Sequence, residues 1–140
     1  MQKIILDTNV VVSALIQKSF PHLILKELYL ENKIQLCISE QLMIEYYEVL
    51  NRAKFSKFPD FKINADIILA NIDKNASFFI PQVKVQKIKD PDDNMLLELA
   101  EECKANFLVT GNTNDFTISK HKKTKIVSPR DYWENYQSKE

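Results

Sequence analysis

The sequence predicts an α/β fold, a three-layer α/β/α sandwich whose central, mainly parallel sheet has about four to five strands. Short apolar runs such as KIIL (3–6) and ANFLVT (105–110) suit strands that are buried on both faces. Longer segments with helical spacing lie between such runs, and this alternation indicates βαβ units. With 140 residues, of which 45% are hydrophobic, we expect one domain over residues 1–140.

The first half of the chain alternates between strand and helix character. The strand at 3–6 precedes a helix that starts near Asn9, and Pro21 marks the start of a second helix. The run at 33–39 returns to strand character. Its last residue, Ser39, is suited to cap the helix that follows.

The second half continues the alternation. Its predicted elements are, in order, a helix (61–76), extended segments (77–81 and 82–88), a helix (90–104), strands (105–110 and 124–127) and a short helix that opens at Pro129 and holds Trp133. The helix at 90–104 has the clearest start, because Asp90 suits the N-cap and Pro91 the first helical position. No repeat or linker interrupts the pattern.

Composition limits the kinds of site that the chain can hold. The single glycine, Gly111, excludes glycine-rich phosphate loops, and the isolated His22 and His121 disfavour zinc. Cys37 and Cys103 lie among apolar neighbours and are expected to be reduced core residues.

Charge and hydropathy limit which partners the chain can bind and where in the cell it is expected. Lys and Arg together number 19, as do Asp and Glu, so any nucleic acid would be bound by a local basic patch. No apolar run approaches the roughly 20 residues that a membrane span needs, and no secretory signal opens the chain. We therefore expect a cytoplasmic protein without membrane contact.

Four carboxylates occupy positions that a ligand site would use. Asp7 directly follows the first strand, and Asp115 lies just past the strand at 105–110, while ligands of open α/β sheets bind at the carboxyl ends of strands. Glu45 borders the apolar stripe of its helix, and Asp93 faces the apolar side of the helix that it opens. Each also has an ordinary explanation as a turn, cap, surface or helix-dipole residue.

Taken together, these acids favour a metal site. Negative charges that converge on one edge of a sheet repel one another and raise each other's pKa. A divalent cation relieves that repulsion. Oxygen ligands without histidine or cysteine suit Mg²⁺ or Mn²⁺.

Four segments, in this order and spacing, resemble the PIN-domain family of nucleases. They are IILDTNVVVSAL, ISEQLMIEYYEVL, DPDDNMLLELA and FLVTGNTNDF, and together they extend over nearly the whole chain. The pairing of DPDD with LVTG especially resembles stand-alone prokaryotic members, which are often toxin components of toxin–antitoxin pairs.

This resemblance implies a PIN-like fold and assigns roles to particular residues. The catalytic residues and ligands of one or two Mg²⁺ or Mn²⁺ ions would be Asp7, Glu45, Asp93 and Asp115. Thr8 and Asn9 would position the first aspartate and its water, and Thr110 would supply a hydroxyl at the end of the fourth strand. Close relatives often carry an aspartate where this chain has Asn112. We expect Asp115 to fill that role, with Asn112 as a neutral ligand or substrate contact.

The activity implied by the resemblance is that of a metal-dependent endoribonuclease acting on single-stranded RNA, with an antitoxin protein as partner and a homodimer as assembly. Nothing in the sequence distinguishes RNA from DNA as substrate. The lysines best suited to contact a phosphate backbone are Lys120, Lys122, Lys123 and Lys125, with Lys54 next. A lysine run is equally often a solvated loop.

Two alternatives to a nuclease remain open: a binding module without activity, and another class of α/β domain with acids at the edge of its sheet. Asn112 and the neutral net charge also suit a non-catalytic RNA- or protein-binding module with a decayed site. Phosphatases of the haloacid dehalogenase type need an aspartate where this chain has Asn9, and phospho-receiver domains need paired acids near the first strand. Because neither pattern is present, both of these classes rank low.

Overall fold

Six strands form the sheet of this protein, in a computed structural model that describes residues 1–138. They are β1 (Gln2–Leu6), β2 (Ile34–Ile38), β3 (Ser77–Phe78), β4 (Phe107–Val109), β5 (Lys120–His121) and β6 (Thr124–Val127). Their order across the sheet is β3-β2-β1-β4-β6-β5, and all neighbours are parallel except β5 and β6. The predicted three-layer α/β fold is confirmed. Residues 139–140 of the predicted domain lie outside the described range.

The sheet has more strands than predicted because two of them are very short. β3 and β5 have two residues each, which is too few to produce a recognisable pattern in the sequence. β5 lies within the lysine run and folds back on β6 through a turn at Lys122, whose φ is 55°.

Helices fill the crossovers between strands, and their starts follow the predicted signals. They are α1 (Thr8–Ile16), α2 (Phe20–Leu23), α3 (Glu40–Leu50), α4 (Phe61–Asn75), α5 (Pro91–Cys103) and α6 (Pro129–Asp131). α2 and α6 continue into π-helical turns at Ile24–Tyr29 and Tyr132–Tyr136, and 3₁₀ turns occupy Ala53–Phe55 and Thr113–Asp115. The predicted caps form, since Ser39 Oγ accepts a hydrogen bond from the N–H of Leu42 and Asp90 Oδ1 accepts one from the N–H of Asp92.

The core lies on both faces of the central strands, as their continuous apolar runs predict. Cys37 and Cys103 are free and buried within it, as expected from their neighbours. In the part of the chain that the structure describes, no helix combines the length and the apolar character needed to cross a membrane.

Residues 82–88, which we call the strap and which the sequence predicts as an extended segment, do not pair with any strand of the sheet. Their backbone N–H groups bond to side chains of α5 instead of to a neighbouring strand. Glu98 Oε2 accepts from the N–H of Val85 at 3.0 Å, and Glu102 and Asn94 accept from other N–H groups of the strap. The strap therefore runs along α5 and leads directly into the start of that helix.

The sheet order places a crevice between β1 and β4. From β1 the chain crosses over to β2 on one side, whereas β4 lies on the other side and leads on to β6. The N–H of Asp7 donates to the carbonyl of Val109 at 2.9 Å, which joins the carboxyl ends of the two strands. Ligands of open α/β sheets bind at such a reversal of strand order.

Candidate active site

The four predicted acids come from four different elements and act on one another electrostatically. Asp7 follows β1, Glu45 lies in the second turn of α3, Asp93 in the first turn of α5, and Asp115 ends the 3₁₀ turn after β4. The negative charges of Asp7 and Asp115 both raise the pKa of Asp93, and that of Asp7 raises the pKa of Glu45. The fold thus places Asp7 within electrostatic range of each of the other three acids.

The Asp7 carboxylate is held by a hydroxyl and does not cap its helix. Although Asp7 stands at the N-cap position of α1, its side chain makes no capping hydrogen bond. Instead Thr110 Oγ1 donates to Asp7 Oδ2 at 2.7 Å and itself accepts from the N–H of Asn112. Burial raises the pKa of Asp7, hydrogen bonds from Thr110 and from the N–H of Thr8 lower it, and the charges of Asp115 and Asp90 raise it further. Asp7 therefore holds the predicted N-cap position, but its main side-chain partner is a hydroxyl on the neighbouring strand end and not the N–H groups that a helix cap bonds.

Glu45 is also held by a threonine hydroxyl, from the start of α1. Thr8 Oγ1 donates to Glu45 Oε2. The next residue, Tyr46, is fully buried, and its hydroxyl donates to the carbonyl of Leu6 at 2.5 Å, which joins α3 to the end of β1. Burial raises the pKa of Glu45, and repulsion from Asp7 adds to that rise.

The Tyr46 bond gives a prediction about stability. Tyr46→Phe leaves the buried carbonyl of Leu6 without its partner, so we expect the free energy of unfolding to fall by about 1–3 kcal/mol. Urea denaturation followed by circular dichroism measures this change. Tyr47→Phe is the matched control, because Tyr47 is 43% exposed on the same helix. Equal urea midpoints for the two variants would contradict the assigned role.

The pKa of Asp93 lies well above that of a free aspartate. Its pKa rises from 3.8 to about 6, first through burial and then through repulsion by Asp7, Asp90, Asp115 and Asp92. Asp92, its neighbour, is exposed, while Asp93 is half-buried, in agreement with the inward direction that helical spacing predicts.

No cation of the protein compensates these acids in the described residues. The ion pairs within 1–138 join Lys62 to Asp66, His121 to Glu101 and Arg130 to Glu134, so none involves the four acids. Asp7, Glu45 and Asp93 are partly buried and Asp115 is exposed. Mutually repelling carboxylates without a basic partner form an oxygen-donor set that suits Mg²⁺ or Mn²⁺. The chemistry of the side chains fits a divalent cation.

The donors are not gathered into a closed metal cage. Among residues 1–138, no three His, Cys, Asp or Glu side chains lie close enough together to coordinate one ion. Asp7 and Glu45 each bond to a separate threonine hydroxyl. A cation here would therefore keep part of its water shell, as Mg²⁺ usually does in proteins.

The predicted positioning residues all lie at the crevice. The hydroxyl of Thr8 donates to Glu45, while its backbone N–H donates to the Asp7 carboxylate and lowers the pKa of Asp7. Asn9 Oδ1 accepts from the N–H of Gly111 at 3.1 Å, so it ties the start of α1 to the loop after β4.

The predicted basic patch lies away from the acids. The hairpin of β5 and β6 carries Lys120, Lys122, Lys123 and Lys125. Lys125 pairs with Phe107, the first residue of β4, whereas the acids follow the carboxyl ends of the strands. Lys54 lies in the 3₁₀ turn after α3, with its ammonium 5.2 Å from the ring centroid of Phe55. The structure does not bring the lysine run to the acidic crevice.

Sequence reasoning overlooked the polar side chains that build the surroundings of the acids. Asn94 and Glu98 are buried on α5 and hold the strap, and their signal was a polar residue repeated at i and i+4 within an apolar helix. The strap region also carries Lys84, Lys87 and Lys89, all exposed, in the six residues that precede Asp90. Such a lysine cluster next to an acidic helix start was visible in the sequence.

Comparison with known proteins agrees with this geometry. A family model for the PIN domain matches residues 3–114, a range that includes Asp7, Glu45 and Asp93. The search of curated proteins gave no match. PIN domains are generally nucleases, and PIN nucleases generally use divalent metal ions. From the extent of the match, together with the fold and the acids at its strand ends, we conclude that this chain belongs to the PIN domain family.

Proposed function

We propose that this PIN domain is a metal-dependent endoribonuclease that hydrolyses phosphodiester bonds of single-stranded RNA. The observation that carries the proposal is the set of partly buried, mutually repelling carboxylates of Asp7, Glu45 and Asp93, for which the described residues offer no basic partner. Without a cation, the ionised carboxylates repel one another and destabilise the fold. A bound divalent cation removes this repulsion and can bind a phosphate group of the substrate at the same time.

The residues of this chain would act by holding and orienting groups. Asp7, Glu45, Asp93 and Asp115 would hold one or two Mg²⁺ or Mn²⁺ ions. When bound, such ions supply the Lewis acidity that activates water and stabilises negative charge on the phosphate. The hydroxyls of Thr110 and Thr8 fix the carboxylates of Asp7 and Glu45.

Protonation of Asp93 links the proposed activity to pH. Its pKa of about 6 leaves the carboxylate mostly ionised at neutral pH and mostly protonated below that value. A protonated carboxyl group binds a divalent cation poorly.

The substrate and the biological role rest on the likeness to stand-alone prokaryotic PIN domains. In support of an RNA partner, the exposed Lys89 directly precedes Asp90 at the start of the acidic helix, and the exposed Lys84 lines the cavity beside Glu98. Both offer cations to a phosphate backbone. As a toxin, the chain would arrest growth when expressed, and the product of a neighbouring gene would relieve the arrest. A homodimer in solution is part of the same proposal.

A second candidate is a module that binds RNA or protein without cutting it. Two observations favour it: Asn112 is neutral where close relatives often carry an acid, and the acids of residues 1–138 are not gathered into one cage. Calorimetric titration with Mg²⁺ and Mn²⁺ separates the candidates. Binding that is lost in Glu45→Gln indicates an intact site.

Metal removal tests the nuclease directly. We expect the purified chain to cut an end-labelled RNA oligonucleotide in Mn²⁺ or Mg²⁺, to leave 5′-phosphate ends, and to lose the activity in EDTA. A DNA oligonucleotide of the same sequence serves as the control substrate and should be cut more slowly. Cleavage that persists in EDTA would overturn the metal dependence, and equal cleavage of DNA would overturn the preference for RNA.

A further inference from the structure

A groove leads away from the acids between α3 and α5. Its first part is a cleft of about 280 Å³ whose walls include Glu45 and Asp92. Its second part is a cavity of about 630 Å³ whose walls include Glu98. Gln41 lines both parts, so they adjoin. Along the axis of α5, Glu98 lies about 9 Å beyond Asp92, a span of one or two nucleotides.

We call this second cavity the base pocket. Its outer wall is apolar and open to solvent. Phe78, Ile80 and Val83 line it, and their exposed fractions are 49%, 79% and 38%. An exposed group of large apolar side chains beside polar residues commonly marks a binding surface. A flat ring such as that of Phe78 is also the kind of surface on which nucleobases stack.

The base pocket contains one buried carboxylate, and only one of its two oxygens accepts a hydrogen bond within the described residues. Glu98 is 8% exposed, and its Oε2 accepts from the N–H of Val85. Its other oxygen, Oε1, makes no hydrogen bond to any residue of 1–138. No fully buried side-chain oxygen in that range lacks a partner, so Oε1 is not fully enclosed, and Glu98 lines the cavity. The pocket thus presents a carboxylate oxygen that is free of hydrogen bonds in the described residues, next to an apolar wall. Its polar lining also includes Ser39, Glu40, Gln41 and Lys84.

This combination fits a nucleobase better than an apolar peptide side chain. An apolar group in the pocket would desolvate Oε1 without giving it a donor, which is costly. The amino groups of adenine, cytosine and guanine can donate to a carboxylate, and carboxylate side chains pair with the cytosine amino group in nucleic-acid complexes. Uracil has no amino group, and two carbonyl oxygens that a carboxylate repels flank its one N–H.

We infer that the base pocket binds one nucleobase of the substrate strand and that Glu98 selects amino-bearing bases over uracil. The inference deepens the proposed function and rests on it, because the pocket adjoins the cleft that Glu45 lines. The strap supports the pocket, since the Glu98–Val85 bond fixes the same side chain that reads the base.

Nucleoside binding to the metal-free protein tests the inference without any cleavage. We titrate cytidine and uridine separately and follow backbone amide resonances of the base pocket by nuclear magnetic resonance. Cytidine is expected to bind about tenfold more tightly than uridine, as one well-formed base contact provides. Equal binding of the two nucleosides, or no change at the pocket up to the solubility limit, overturns the inference.

Glu98→Gln gives the sharpest variant. Its amide oxygen can still accept from the N–H of Val85, while its NH₂ group faces the pocket and donates to a uracil oxygen. We expect the preference for cytidine to disappear. Glu102→Gln is the matched control, because Glu102 also accepts from the strap but does not line the pocket. A preference that survives in Glu98→Gln, or that vanishes equally in Glu102→Gln, contradicts the role of Glu98.

A second pair of variants tests the apolar wall. Phe78→Ala should weaken both nucleosides alike, by about tenfold or more, because stacking does not depend on base identity. Ile63→Ala, on the exposed side of α4, should change neither. A Phe78→Ala variant that binds both nucleosides as the wild type does overturns the stacking role.

These measurements separate failure of the pocket from failure of the nuclease. An inactive protein that still prefers cytidine retains the base pocket and refutes only the proposed activity. An active, EDTA-sensitive nuclease that binds both nucleosides equally refutes only the pocket. If both hold, Glu98→Gln shifts the preferred cleavage sites toward uracil-containing sequences and leaves the dependence on metal unchanged.

Discussion

Asp7→Asn is expected to lower the rate of RNA cleavage by about 10²- to 10³-fold while the fold stays intact, a loss typical of removing one charged or polar group that acts on the transition state. Asparagine has the same shape as aspartate, and its amide oxygen can still accept from Thr110. What it lacks is the negative charge, so the site loses one anionic ligand in the crevice. Cleavage in excess Mn²⁺, measured on protein checked by circular dichroism, gives the comparison.

The same variant should be more stable than the wild type in EDTA at neutral pH. Burial and the charges of Asp115 and Asp90 disfavour the ionised form of Asp7, and Asp7→Asn removes that repulsion. Substitution of a residue that serves the active site is expected to lower activity and raise metal-free stability. Substitution of a purely structural residue lowers both.

Asp73→Asn controls for the loss of one negative charge, because Asp73 is exposed on α4. It should cut RNA at the wild-type rate. If folded Asp7→Asn protein cuts RNA as fast as the wild type does in Mn²⁺, the proposed nuclease site is wrong.

Without metal, the protein is expected to lose stability as the pH rises from about 4 to about 6. The pKa of Asp93 is 3.8 in the unfolded chain and about 6 in the fold, so the folded state retains a proton that the unfolded state releases in this range. Each such proton favours folding only while the pH stays below the folded pKa. The raised pKa values of Asp7 and Glu45 act in the same direction. For the partly exposed Asp93 the loss is about 1 kcal/mol after allowance for solvent screening.

Mn²⁺ should reverse this loss at pH 7 and have little effect at pH 5. The ion binds ionised carboxylates, and at about 100 times its dissociation constant it would add about 2.7 kcal/mol to the free energy of unfolding. Urea titrations at several pH values, each in EDTA and in Mn²⁺, measure both effects.

Glu45→Gln is expected to remove most of the Mn²⁺ effect, whereas Glu27→Gln, an exposed residue outside the site, should retain it. A stability curve in EDTA that is flat between pH 4 and pH 6 would contradict the repulsion among the acids. Equal stabilisation of Glu45→Gln and the wild type by Mn²⁺ would show that the ion binds elsewhere.

Local signals were sufficient for most of the fold. Apolar runs identified the strands around the crevice, and Ser39 and Asp90 identified two helix starts, because burial on two faces and capping act within a few residues of the chain. The parallel sheet then followed from the alternation of elements. The inward side of Asp93 was also visible from helical spacing, and the structure agrees with it.

Contacts between distant residues had no such signal. Which threonine holds which acid depends on how β1, β4 and α3 are placed, and these partners are 37 and 103 residues apart. The same holds for Glu98, whose pocket exists only because the strap folds back onto α5.

The local pattern of residues was thus enough to specify the parallel sheet and to mark its acids as a group, since propensity, capping and periodicity depend on near neighbours. The placement of the lysine hairpin at the far edge of the sheet, the hydroxyl partners of Asp7 and Glu45, and the groove that ends at Glu98 were decided only by tertiary structure. The physical reason is that hydrogen bonds and charge repulsion depend on distance in space, which strand order sets and sequence separation does not.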